Sequence, residues 1–353
     1  MTTQPDITVV LPAYNAAPFI AEAVESILGQ TYSNFVLLAM NDGSTDGTGA
    51  ILDALAVRDS RIRVVHNENR GLVATLNESL ALCETDLVAR MDADDWCMPD
   101  RLRQQKDYMD AHPEVAVCGS SMEVYETGQF FPVPTNVDFF SAVLFRASFA
   151  HPTIMYRRSA VLAVGGYDPA MVAAEDYDLW SRMLAAGYKM NNLPQALLRW
   201  RRHPSMPRVA YRHAMRQTRD SIWTRQLQQL GITPTPEELD KHAYCADPCV
   251  DIAWQQRRAA SWMRHIQEVN RQRGRYAQDA LEHACQRLLA DFPQPCSPWR
   301  TPLRYCTRMV RHVFMYFCWH SGSIGVQLEA AVRGFMQHVR TWQNKLARKQ
   351  HPR

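Results

Sequence analysis

Three aspartates fall within four residues, Asp92-Ala93-Asp94-Asp95. Carboxylates this close repel one another unless a cation neutralises them. Hard divalent ions such as Mg2+ or Mn2+ prefer carboxylate oxygens and often complete their shell with substrate phosphates. Such a run also serves simply as a turn and N-cap ahead of a helix, here one starting near Pro99. Position favours one reading over the other. Three other polar runs each follow an apolar stretch: Pro12-Ala13-Tyr14-Asn15, Asn41-Asp42-Gly43-Ser44 and Asn67-Glu68-Asn69-Arg70-Gly71. If each stretch is a strand of one parallel sheet, all four runs meet beyond its carboxyl edge, where open α/β sheets bind ligands. That convergence favours metal–phosphate binding over a plain turn.

The elements that must position these residues are legible as alternating strands and helices. Ile7–Leu11, Phe35–Met40, Ile62–Val65 and Leu87–Met91 are short continuous apolar runs, the pattern of strands buried on both faces. Between them lie helical patterns. Phe19, Ile20, Ala23, Val24, Ile27 and Leu28 form one apolar stripe, and helices are expected over about 46–57 and 72–82. This alternation predicts βαβ units and a parallel sheet with helices on both faces. Further strands are expected at Val115–Cys118, Met122–Tyr125 and His151–Tyr156, and a helix over Asp176–Ala186. Beyond residue 208 the strand patterns stop. Arg-, Gln- and Ala-rich helical patterns fill 208–231, 250–273, 276–291, 302–320 and 324–349, with prolines at 234, 236, 293, 295 and 298 marking breaks.

The ordered motifs carry a resemblance. Val9-Val10-Leu11-Pro12-Ala13-Tyr14-Asn15, Asn41-Asp42-Gly43-Ser44-Thr45-Asp46, Asn69-Arg70-Gly71 and Met91-Asp92-Ala93-Asp94-Asp95 resemble the signature of the family 2 glycosyltransferases. The likeness continues through His151-Pro152-Thr153-Ile154-Met155-Tyr156, Gly165-Gly166-Tyr167-Asp168, Glu175-Asp176-Tyr177-Asp178-Leu179-Trp180 and Arg201-Arg202-His203-Pro204. It covers about residues 6–207 and does not extend further. It implies an α/β chain with a GT-A type open, mostly parallel sheet flanked by helices (1–207), followed by a basic α-helical C-terminal region (208–353). It also implies an inverting enzyme that moves a sugar from a nucleotide-diphosphate sugar, with a UDP-sugar favoured, to a hydroxyl of a surface glycan or lipid-linked oligosaccharide precursor.

By the same resemblance, Asp94 holds the divalent metal (Mn2+ or Mg2+), Asp92 contacts the ribose and supports the metal, and His203 approaches the metal or the diphosphate. Pro12, Ala13 and Tyr14 form the wall behind the base, Asp42 accepts a hydrogen bond from it, and Asn15, Asn69, Arg70 and Ala93 complete the donor site. Inversion is a single displacement and needs one general base. Asp176 is the family's candidate, with Glu175 as the alternative. His151 and Trp180 belong to the acceptor side. Ordinary roles stand beside these: Arg70 as a solvated loop residue, His203 as a surface histidine, Trp180 as plain core. Two acids opening a helix also favour its N-terminal dipole, which lowers a base's pKa unless burial or the neighbouring acid opposes it.

Composition frames this reading. Hydrophobic residues make up 46% and charged residues 21% of 353 positions, which excludes a mostly disordered chain. The net charge of +3 conceals a split. Residues 1–207 carry 16 basic and 25 acidic side chains, a balance of −9, whereas residues 208–353 carry 23 and 11, a balance of +12. Nine scattered cysteines do not form a disulfide framework and suit a reducing compartment. No apolar run is long enough to span a membrane. The expected place is therefore the cytoplasm, with the inner face of the cell membrane as one station. For the basic half, contact with an anionic membrane, capping of the catalytic domain and homo-oligomerisation all stand open. Its Arg304, Arg308 and Arg311 alternate with Tyr305, Met309, Phe314 and Phe317, as in membrane-surface helices. No nucleic-acid motif appears, so no nucleic-acid partner is expected. Two rivals remain: a non-catalytic scaffold that keeps the fold, and a sugar nucleotidyltransferase. The latter calls for a Gly-rich loop with a Lys after the first strand, where this chain has Pro-Ala-Tyr-Asn-Ala-Ala.

Overall fold

The computed structural model describes residues 4–135, 142–202, 209–246 and 253–290. The chain divides into two compact units, Met1–Met206 and Pro207–Arg353. In the first, β1 (Ile7–Ala13), α1 (Ile20–Leu28), β2 (Phe35–Asp42), α2 (Thr48–Arg58), β3 (Ile62–Asn67), α3 (Leu72–Leu82) and β4 (Leu87–Arg90) alternate as the apolar pattern requires. Then follow β5 (Trp96–Cys97), α4 (Arg101–Ala111), β6 (Val115–Val124), β7 (Phe130–Phe131), β8 (Met155–Arg157), α5 (Arg158–Ala163), α6 (Glu175–Ala185) and β9 (Lys189–Trp200). The sheet order is β3-β2-β1-β4-β8-β6-β9-β5, with β7 beside β6.

β1 lies at the centre of the parallel half, and all seven of its residues are buried. Its apolar run therefore has no polar face, as expected for a strand covered on both sides. α1 buries Ile20, Ala23, Val24 and Ile27 completely, the stripe that its sequence spacing sets out. Register fixes the edge that matters. Ala13 pairs with Asn41, Asp42 with Asn67, and Val10 with Arg90. The polar runs after β1, β2, β3 and β4 therefore leave the sheet on one side.

Three expectations need correction. Val115–Cys118 and Met122–Tyr125 are one ten-residue strand, β6, because Gly119, Ser120 and Ser121 stay in the ladder. His151–Tyr156 is not one strand. Pro152 lacks an N–H for a ladder, and His151–Thr153 forms a 3-10 turn before the short β8. β9 has no counterpart in the expected elements. Its residues, Lys-Met-Asn-Asn-Leu-Pro-Gln-Ala-Leu-Leu-Arg-Trp, alternate poorly, and its pairing with β6 is broken by register shifts.

The described part of the second unit is helical: α7 (Val209–Leu230), α8 (Pro236–Ala246), α9 (Ala253–Arg273) and α10 (Gln278–Ala290). Its core includes Ile222, Trp223, Leu227, Trp262, Met263, Ile266, Leu281 and Leu288. α8 occupies a stretch that the prolines seemed to interrupt. Pro236 is instead its first residue, and Thr235 with Glu238 forms a capping box. Thr235 Oγ1 accepts the Glu238 N–H at 3.2 Å, and Glu238 Oε2 accepts the Thr235 N–H at 2.8 Å. No described helix is long and apolar enough to cross a membrane. The expected helices at 302–320 and 324–349, with their arginines, lie outside the described residues.

Candidate active site

The acidic triplet occupies the turn between β4 and β5. Among the described residues, Asp92, Asp94 and Asp95 form the one group of histidine, cysteine or acidic side chains dense enough to hold a metal, each offering an oxygen within 4.8 Å of the others. Asp92 and Asp94 are half-buried, whereas Asp95 is 2% exposed. Burial, reinforced by Asp92, pushes the Asp95 carboxyl up to about 8. Its Oδ1 accepts the backbone N–H of Arg201 at 3.0 Å, and its Oδ2 has no hydrogen-bond partner. A buried carboxylate oxygen without a donor, beside two further carboxylates, fits a hard divalent cation. Asp95 stands with Asp92 and Asp94 as a third group that could hold such an ion.

The loops around the triplet are stitched together by their own polar side chains. Asn15 sits in the left-handed region (φ 50°) after β1. Its N–H donates to Ser44 Oγ at 3.0 Å and its Oδ1 accepts the Thr45 N–H at 2.8 Å, which joins the β1 and β2 loops. Asp42, 4% exposed, accepts the backbone N–H groups of Arg70 and Gly71, both at 2.9 Å. Gly43, at φ +69°, lets the β2 loop touch the β3 loop, since a Cβ there would lie 2.4 Å from the Asn69 nitrogen. Asp42 therefore ties the end of β2 to the loop after β3. Pro12 and Ala13 are buried in β1, Tyr14 stands 52% exposed beyond it, and Asn69 is exposed. Arg70 is exposed too, and its guanidinium pairs with Glu78, which also accepts from Asn67 at 2.6 Å.

The opposite side is built by α6. Glu175 and Asp176 begin this helix after its N-cap, Ala174, which follows Ala173 in the left-handed region (φ 70°), a conformation an alanine adopts at a cost. The dipole of the helix end favours ionised acids, yet both are raised. Burial and then Asp176 push Glu175 up to about 7, and burial raises Asp176. Desolvation wins over the dipole here. The charge of Asp92 contributes to both shifts, so the acid pair and the triplet share one electrostatic environment. Arg182, bonded to the fully buried Asp178 at 2.7 Å, donates to the carbonyls of Val164 and Gly166. That turn is docked on α3 through Asn77, whose Oδ1 accepts the Tyr167 N–H at 2.9 Å. Gly166 (φ +70°) is required there, because a Cβ would meet Asn77 Oδ1 at 2.7 Å.

The turn places the Tyr167 hydroxyl 3.1 Å from His151 Nε2. Burial, with the Arg90 charge, holds His151 well below the usual histidine range, so it is neutral. Trp180 departs from the expected acceptor face. It is completely buried, with its ring against Phe149 (5.1 Å) and His151 (6.2 Å), and offers no open face to a sugar. With Tyr177, Leu179 and Met183 it is among the buried side chains of α6 and belongs to the core. His203 lies outside the described residues.

Two arginines absent from the expected site are central to it. Arg201 reaches the triplet because β9 pairs with β5, setting Arg199 opposite Trp96. Its Nε donates to the Asp94 carbonyl at 3.0 Å and its Nη2 to Glu22 at 2.7 Å. The guanidinium lies over the Tyr125 ring at 3.9 Å. Arg90, 2% exposed, donates from Nη2 to Asp92 at 2.5 Å. Beneath them, buried Arg101 donates to the carbonyls of Arg90 (2.7 Å) and Ile154 (3.1 Å), and Gln105 to those of Cys118 and Thr153 (both 2.8 Å). This pair on α4 locks the end of β4 to the His151 turn. Arg201 was hidden because β9 carries a weak strand pattern, and Arg90 because it sits inside an apolar strand.

The sequence profile of Glycosyl transferase family 2 matches residues 8–167. An Escherichia coli protein, "O-antigen biosynthesis glycosyltransferase WbnJ", is 30% identical over 56% of this chain and 80% of its own. An Erwinia amylovora protein, "Amylovoran biosynthesis glycosyltransferase AmsE", is 31% identical over 52% and 70%. Among solved structures, a mannosyltransferase of Pyrobaculum calidifontis in complex with GDP-Man and Mn2+ superposes with a TM-score of 0.54 at 22% identity, over 88% of this chain and 86% of that one. S. aureus TarS 1–349 in complex with UDP-GlcNAc gives 0.51 at 17%, over 86% and 90%. At these identities the structural matches speak for the fold alone.

Proposed function

The chain belongs to glycosyl transferase family 2, and on that premise we propose that it transfers a sugar, with inversion, from a UDP-sugar to a hydroxyl of a surface glycan or its lipid-linked precursor. The observation that carries this reading is the pairing of three convergent carboxylates at the strand ends with a buried acid pair in the same electrostatic environment. Asp94 and Asp92, joined by Asp95, would hold Mn2+ or Mg2+, which supplies neutralisation of the departing diphosphate. Tyr14, with Pro12 and Ala13, walls the base. Asn15, Asp42, Asn69 and Ala93 shape the donor edge, and Arg70 leaves Glu78 for the diphosphate. Asp176 takes the proton of the acceptor hydroxyl as its oxygen bonds to the anomeric carbon and the nucleoside diphosphate leaves. A buried base whose pKa is raised toward neutrality suits that task better than a fully solvated aspartate. Glu175, raised to about 7, carries its proton part of the time near neutral pH and so lowers the pair's charge. His151, neutral and bonded to Tyr167, borders the acceptor side, and His203 is assigned as a further ligand of the metal or diphosphate.

The neighbours' bound GDP-Man with Mn2+, and UDP-GlcNAc, support a nucleotide-sugar donor. The names of WbnJ and AmsE support a bacterial surface polysaccharide as the product. Residues 1–207 are assigned to catalysis. The basic region 208–353 is assigned to an anionic membrane face bearing the acceptor, with capping or self-association as the alternatives. Screening UDP- and GDP-sugars with Mn2+ for thermal stabilisation identifies the donor, since a ligand that binds only the native state raises its stability. With that donor, Asp176→Asn is expected to lower turnover by about 10^2- to 10^4-fold. A turnover near that of the unmodified chain would remove Asp176 as the base. Absence of any donor turnover would favour the scaffold.

A further inference from the structure

Arg90 ends β4 and belongs neither to the acidic triplet nor to the acid pair on α6. Its side chain is 2% exposed. A guanidinium carries five N–H donors in a rigid fork. Here Nη2 is spent on Asp92 Oδ1, while Nε and Nη1 have no acceptor in the protein. Burying such donors unpaired is costly, and a buried cation is costlier still. What offsets that cost is the set of acids around it. Burial opposes the charge on Arg90, but Asp92 and, more weakly, Asp95 hold it protonated from the triplet side. From the other side, Glu175 and Asp176 both feel its charge, together with that of Asp92, and Tyr167 faces the same group. One fixed, buried cation with two unspent N–H-bearing nitrogens therefore stands against Asp92.

We propose that Arg90 is a positioning residue of the transfer site, a buried cation that fixes the orientation of Asp92 toward the donor. The physical reason is the bond itself: by holding Oδ1, Nη2 stops Asp92 from turning and leaves Oδ2 for the ligand. This rests on the reading of Asp92 as a metal and donor residue.

The full chain with Arg90→Met and Arg90→Lys tests this by titration calorimetry with Mn2+ and UDP and, in parallel, Mn2+ and GDP. Arg90→Met is expected to weaken binding by about tenfold, the lower end for a residue that orients a metal ligand. Arg90→Lys, which can still offer one N–H to Asp92, should recover a large part of that loss. Affinities within twofold of the unmodified chain in Arg90→Met overturn the proposal. If Arg90→Met does not fold, Arg90→Gln replaces it on the same criterion. Should Asp176→Asn keep full turnover while Arg90→Met still weakens binding, the base assignment fails and the Arg90 inference stands.

Discussion

The two units bury different things. Among the described residues, the first unit buries charge at Arg90, Asp95, Arg101, Asp178 and Asp42. The described helices of the second bury no acidic or basic side chain but neutral polar groups such as Gln226, His242 and Asn270 amid Trp223, Trp262, Cys245 and Cys285. His242 is satisfied there by the indole N–H of Trp262 at 3.1 Å. Ionised groups are expensive to bury and persist where partners or function hold them. The contrast teaches that net charge is a poor guide to chemistry. The unit with the larger imbalance, +12, fully buries none of its described acidic or basic side chains, although Arg219 and Asp220 are half-buried, whereas the acidic unit puts a few of its many charges inside.

The comparison breaks most sharply if activity and stability fail to separate. Asp94→Ala is expected to lower Mn2+-dependent turnover by about 10^3-fold, roughly 4 kcal/mol of barrier, without lowering the Tm of metal-free protein, because one of three repelling carboxylates is removed. A large drop in Tm would mark the triplet as structural. Trp223→Ala in the second unit should do the reverse. It removes a completely buried indole that carries the Arg219 guanidinium over its ring at 4.4 Å and should cost about 3–5 kcal/mol by calorimetry, equally at pH 5.5 and pH 8, since an arginine stays charged at both. A marked pH dependence would show that the helical core hides ionisable chemistry.

A finer probe is Glu175. Its carboxyl is raised to about 7 in the folded chain against 4.5 as the ordinary value. The folded state therefore binds this proton more tightly than the unfolded chain, so its contribution to stability falls as pH climbs from about 4.5 to 7 and is fully lost above that. Glu175→Gln should match the unmodified Tm near pH 4.5 and exceed it at pH 8 in metal-free melts. Each kcal/mol corresponds to about 2–4 °C for a domain of this size. An equal Tm at both pH values would mean that the acid pair is not buried as the structure has it. The smallest effect is expected at Ala173. Ala173→Gly relieves a left-handed alanine but loosens the unfolded chain, so Tm should change by no more than the equivalent of about 1 kcal/mol. Turnover should fall if the strained residue holds Glu175 and Asp176 at the start of α6.

Much of this was legible in the sequence because it is local. β1 to β4, their helices and the polar runs between them follow from patterns a few residues long. So do the Asp92–Asp95 turn and the start of α6 at Glu175. α8 was also readable, since Thr235, Pro236 and Glu238 spell a capping box, but the prolines drew attention as breaks. What escaped is non-local. β9 joins the sheet through irregular pairing that its own residues do not announce, and Arg201 reaches Asp94 and Asp95 across more than 100 positions. Trp180 carries the same side chain whether it faces a ligand or the core, and only the packing of Phe149 and His151 decides. The balance at Glu175 and Asp176 was likewise open in the sequence, where a helix dipole and a like charge oppose each other. Residue types and their spacing determined which groups could do chemistry here. Tertiary structure decided how deeply each is buried and which charge it faces, because desolvation and Coulomb energies depend on neighbours brought together from across the chain.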